Sequence, residues 1–170
     1  MNYTVEYVRY LLESKGIERI SEMTIFEIAE HFGFHLFETA KKSKIVPVDD
    51  EVIIFINFSK GDIKAREDFF HELAHYLLDH ELHSNMGEFY YTEGKANRLA
   101  FYLSIPSCEI YEMDYKSENI IFDLSEKFNV SIPYALQRYL MFCENSEYST
   151  INSQKYYRSL IRNYWNTALA

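Results

Sequence analysis

Residues 69–80 read FFHELAHYLLDH. Phe69, Phe70, Leu73, Ala74, Leu77 and Leu78 recur at helical spacing, so a helix with one apolar stripe is expected from about Ile63 to His80. His71 and His75 stand four apart on it, which projects both imidazoles from one face, a turn apart. Two rings so placed can meet one zinc ion at about 2.0–2.1 Å. Glu72 is turned around the axis by roughly 100°, at 3.6 residues per turn. From there its carboxylate does not easily join the same coordination face, but it can reach a water held at the metal. Two ligands and a general base in H-E-x-x-H order are the pattern of a metal-dependent hydrolase. The bland alternative is a core helix whose polar side chains are otherwise satisfied.

A catalytic zinc takes a third protein ligand and keeps a fourth position open. His80, Glu81, His83, Glu88 and Glu93 are the candidates downstream. The metzincin spacing fails, because Leu78 stands where that pattern needs Gly and Glu81 where it needs His. His80 is five residues past His75 and faces away; it suits the helix dipole better than a metal. His83 and Glu88 fall in a segment, 81–91, that reads as a loop, and geometry leaves them open. Glu93 is the preferred ligand. It follows His75 by eighteen residues, near the start of a helix that Thr92 would cap and that would end before Pro106. Asn97, one turn further, could accept a hydrogen bond from the free ring nitrogen of a ligating histidine. Ala96 and Ala100 are small enough to let two helices approach closely.

The rest of the chain sets the frame. With 170 residues, one domain is expected; 48% hydrophobic and 17% aromatic residues suffice for a ring-rich core. A net charge of -9 disfavours nucleic-acid binding, which needs clustered Lys and Arg. MNYTVEYVRYLLESKG carries charges throughout and is no secretion signal, and no apolar run of about 20 residues could span a bilayer, so a cytoplasmic location is expected. Cys108 and Cys143 match no zinc-ribbon or redox spacing. Val5, Val8, Leu11 and Leu12 mark a first helix with Gly16 at its C-cap. Thr24 and Glu27 form a capping-box pattern for a short helix closed by Gly33. Phe34 to Glu38 and Val52 to Phe58 read as strands, the second apolar enough to be buried on both faces, with Pro47, Asp49 and Asp50 as turn residues between. LSEKFNVSIPYALQRYLMF, residues 124–142, reads as two helices broken at Asn129 to Ser131. The tail places Tyr157, Leu160, Ile161, Tyr164, Trp165 and Ala168 on one helical face.

FINFSKGDIKAREDFFHELAHYLLDH followed by TEGKANRLAFYLSIP resembles the ImmA/IrrE family of zinc metallopeptidases. The matching positions are Asn57 at the end of an apolar strand, then His71, Glu72, His75, Glu93, Asn97 and Pro106, within roughly residues 50 to 142. Many relatives carry Gly before the second histidine; this chain has Ala74. The resemblance implies an α+β, gluzincin-like fold, with a small sheet on the active-site helix and a helical C-terminal half. On that reading 1–170 is a single metallopeptidase domain, with 1–106 its zincin-like part and 107–170 its helical part. It also implies Zn²⁺ as cofactor and a helix-turn-helix transcriptional repressor, of a mobile element or stress response, as substrate.

Residues 124–142 also resemble a helix-turn-helix. With only Lys127 and Arg138 as basic residues, a core-forming helix pair is the better reading. The expected reaction is peptide hydrolysis, with Glu72 as the acid–base group. The strand Val52 to Phe58 could align an extended substrate if it lies at the sheet edge. Tyr90, Tyr91 and His83 are candidate oxyanion stabilisers. The rival reading is a protein that binds a repressor, or one half of a toxin–antitoxin-type pair, without cutting and with zinc as a structural staple. Structural zinc sites are closed and usually use Cys, and neither Cys lies near the motif.

Overall fold

A computed structural model describes residues 3–78 and 86–145 of the chain, with side chains for 4–78 and 92–144. Among them are seven α-helices and a three-stranded sheet, an α+β architecture of the zincin type. Helix α1 runs Tyr3–Ser14, and Gly16 follows it at φ 70°, a left-handed conformation that costs glycine little. A 3-10 turn, Ile20–Glu22, leads to α2, Ile25–Phe32. The capping box forms as expected. The Thr24 hydroxyl accepts from the Glu27 N–H, the Glu27 carboxylate accepts from the Thr24 N–H, and Gly33 closes the helix at φ 75°.

The strands are β1, Phe34–Glu38, β2, Lys44–Val48, and β3, Glu51–Ile56. Their order is β1-β3-β2, with β1 parallel and β2 antiparallel to β3. β2 is a strand that sequence reading gave to a turn because of Pro47. At the sheet edge a proline removes no ladder hydrogen bond that matters, and the flanking β-branched residues of KIVPV favour extension. The turn itself is Asp49–Asp50, with Asp49 at φ 54°. β3 is central, so the condition for substrate pairing at its edge is not met: its backbone is paired on both sides. Its burial also alternates. Val52, Ile54 and Ile56 are buried, while Ile53 and Phe55 on the outer face are only half-buried.

Helix α3, Asp62–Leu77, packs Ala65, Phe69, Phe70, Leu73 and Ala74 into the core beneath the sheet. Helix α4, Met86–Ser104, is its main packing partner. Ala96 and Ala100 are buried at that contact face, as their size suggested. Helix α4 begins six residues before Thr92, which is therefore interior and not a cap. Met86, Phe89, Tyr90 and Glu93 already follow helical spacing, and that outweighed a lone capping residue.

Pro106 opens α5, Ser107–Tyr111, and α6, Ile120–Phe128, and α7, Ile132–Asn145, form the expected helix pair. Asn129 ends α6 in the left-handed conformation, φ 50°. Arg138 is fully buried, with its guanidinium over the Tyr102 ring and hydrogen bonds to the Ile105 carbonyl and Ser107 hydroxyl. It is thus unavailable to a phosphate. The helix expected over residues 156–168 lies outside the described residues, as do His80, Glu81 and His83. No helix among the described residues is long and apolar enough to cross a membrane.

Candidate metal centre

Helices α3 and α4 bring His71, His75 and Glu93 together. One ligand atom from each lies within 4.8 Å of the other two. The two Nε2 atoms are 3.0 Å apart, with the rings nearly perpendicular at 82°. Glu93 places Oε2 3.5 Å from His71 Nε2 and Oε1 3.1 Å from His75 Nε2. All three side chains are half-buried and open on one side. Four donors at 2.0–2.1 Å around a tetrahedral ion are separated by about 3.3 Å. Separations of 3.0, 3.1 and 3.5 Å therefore fit such an ion, and the His₂Glu donor set suits zinc. Glu93 is the eighth residue of α4, too far along to be explained as an acidic residue facing the helix dipole.

Glu72 lines a cavity of about 320 Å³ together with His71 and Asn97. Burial pushes its carboxyl up to about 7, while the charge of Lys42 and the backbone N–H of Ile45 pull it down. Both of the latter come from the β1–β2 connection and β2. Sequence reading passed over that region. Asn57, the strand-end residue, explains how it is held. Its side-chain amide donates to the Lys41 carbonyl at 2.9 Å, and its backbone N–H donates to the Ser43 hydroxyl at 3.0 Å. Ser43 donates in turn to Asp68 on α3 at 3.1 Å. Lys42 is thereby brought beside Glu72.

Asn97 makes no hydrogen bond to either imidazole among the described residues, but it lines the same cavity. Tyr90, Tyr91 and Glu88 belong to the first turns of α4 and not to a loop; their side chains lie outside the described set, with His83. The remaining cavity wall includes Ala100, which sequence reading named only for helix packing, and Lys64, Glu67, Asp68, Phe101 and Tyr134, which it did not single out. A signal was present for part of it. Lys64, Asp68, His71, Glu72 and His75 follow one helical face.

Residues 22–139 match a peptidase family described as the IrrE N-terminal-like domain. The match covers well over half of the chain, and the chain belongs to that family. Its members are metallopeptidases, and this chain carries a triad that could hold the metal. No curated protein and no solved structure matches the chain.

Proposed function

We propose that this chain is a zinc-dependent endopeptidase, with His71, His75 and Glu93 as metal ligands and Glu72 as the acid–base group. The observation that carries the reading is the meeting of three ligand atoms from two helices, one of them from His71, which lines a cavity together with Glu72. Bound zinc would supply a Lewis acid that polarises the scissile carbonyl and activates water near neutral pH. Glu72 takes the proton of the attacking water and returns it to the leaving amine. A carboxyl held near 7 by burial is matched to both transfers. Asn97, one turn beyond Glu93, lines the same cavity. An extended substrate has β2 to pair with, since that strand and not β3 ends the sheet beside Glu72.

The substrate we propose is a cytoplasmic helix-turn-helix repressor, cut once in an exposed segment so that mobile-element or stress genes are released. Resemblance to the ImmA/IrrE family supports this class. The net charge of -9 favours encounter with a basic DNA-binding domain through long-range attraction that salt screens. On this reading the whole chain works as one unit, the zincin-like part carrying the chemistry and the helical part supporting α4.

The test is to incubate zinc-loaded protein with the repressor encoded beside it, with and without chelator, next to unfolded casein. One discrete, chelator-sensitive cut in the repressor is expected. Glu72→Gln keeps the shape of the side chain but not its basicity, and should slow the cut by roughly 100- to 10,000-fold while retaining zinc. Stable binding with no cut would favour a titrating protein over a peptidase, and rapid casein digestion with the repressor intact would mark a general peptidase.

A further inference from the structure

The cavity beside Glu72 does not stop at the metal ligands. It runs from His71 toward the N-terminal turns of α3 and the C-terminal turns of α4. The charged groups at its far end, Lys64, Glu67 and Asp68, are already partnered. Lys64 Nζ sits 2.8 Å from Asp68 Oδ1 and 3.6 Å from Glu67 Oε2. Glu67 Oε1 also accepts from the Ser131 N–H at the start of α7, 2.9 Å away, and Asp68 Oδ2 accepts from Ser43. The Tyr134 and Ser104 hydroxyls are paired at 3.0 Å. Lys42, Glu72 and Asn97 line the end beside the metal centre, and what remains for an occupant at the far end is apolar: Ala100, and the rings of Phe101 and Tyr134, whose centroids are 4.4 Å apart. The space is about 320 Å³, the lower end of the range for small-molecule pockets, so it suits one large side chain and not a folded element.

We propose that this recess receives a substrate side chain next to the scissile bond and selects an aliphatic or aromatic one over a basic one. The proposal rests on the peptidase reading and names the side-chain class that the same site takes. A lysine or arginine entering the recess would find Glu67 and Asp68 already shared with Lys64, so its charge would be desolvated without a free partner. An apolar side chain gives up no hydrogen bond on entry and covers Ala100 and the two rings. Ala100 sets the depth: it is buried, and any larger residue there must project into the recess. Phe101 sets the width from the next position on α4. An apolar pocket discriminates by roughly 10- to 200-fold per methylene accepted or refused.

Binding can be read without turnover. N-acetyl hydroxamates of glycine, leucine, phenylalanine and lysine are titrated calorimetrically into the metal-loaded protein, into Ala100→Val and into Phe101→Ala. The leucine and phenylalanine probes should bind at least about 10-fold tighter than the glycine probe, and the lysine probe no tighter than glycine. Ala100→Val should reduce the phenylalanine-to-glycine ratio, and Phe101→Ala should raise it. If Ala100→Val fails to fold, as a thermal melt would show, Phe101→Ala decides alone. Equal binding of glycine and phenylalanine, tightest binding of lysine, no binding of any probe, or a ratio unmoved in the folded variants would overturn the pocket. A peptide library cut in parallel separates the two readings. Discrimination among probes with no Glu72-dependent cleavage removes the peptidase and keeps the pocket. Glu72-dependent cleavage with no apolar preference beside the cut removes the pocket and keeps the peptidase.

Discussion

Two helix pairs in this molecule both bring polar groups under the surface, and they treat them in opposite ways. In the α6–α7 half, Arg138 is completely buried, and its Nε and Nη2 are taken up by the Ile105 carbonyl and the Ser107 hydroxyl. Burial lowers its pKa to about 10, and among the described residues Nη1 has no hydrogen-bond partner. In the α3–α4 pair, His71, His75 and Glu93 stay half-buried and aim at one another, and His71 lines a cavity. The first arrangement ties loops to a core. The second leaves donor atoms from three side chains converging on one point. The difference separates a polar group spent on structure from one held for a ligand.

The comparison can be broken at either end. Glu93→Ala has the largest expected effect: loss of a direct ligand should weaken metal binding by more than about 100-fold, since even outer partners of ligating histidines are worth 10- to 100-fold. Elemental analysis of protein purified without added metal, against wild type at one zinc per chain, reads it out. Unchanged zinc would remove Glu93 from the ligand set and turn attention to Glu88 or His83. Arg138→Ala should destabilise the fold by about 2–3 kcal/mol, because it leaves a cavity and strands the Ile105 carbonyl, with relief of the buried charge opposing. Denaturant unfolding measures this, and the zinc content should not change; a loss of zinc would mean that the two halves are not separable in role. The smallest effect is expected from Thr24→Ala, which removes the capping box of α2 far from the metal centre, at about 1 kcal/mol. A shift in its melting midpoint with unaltered metal content would place α2 with the scaffold.

Much of this was readable in the chain alone. The H-E-x-x-H face, the capping box, Gly33 and the break at Asn129 are governed by spacings of a few residues, so local periodicity and backbone preference are enough to reveal them. Glu93 was preferred from its spacing after His75, and the family resemblance matched the same position; its pairing with the histidines is a long-range contact. Local rules failed where two influences competed. Thr92 reads as a cap, but the helical repeat from Met86 extends through it. Pro47 reads as a turn, but an edge strand tolerates it.

The sequence by itself determined the α+β class, the helix that carries His71, Glu72 and His75 with the two histidines on one face, and the family to which the chain belongs. Only the tertiary structure decided that β3 is central and β2 is the edge, because strand order depends on which backbones pair and not on which residues favour extension. It alone brought Lys42 beside Glu72 and assembled a recess from α3, α4, α7 and the β1–β2 connection. Those groups are up to ninety-two residues apart in the chain, from Lys42 to Tyr134, and no local periodicity links them. Burial did the same for the Glu72 carboxyl: its displacement toward 7 comes from neighbours folded around it, which a motif of five residues does not contain.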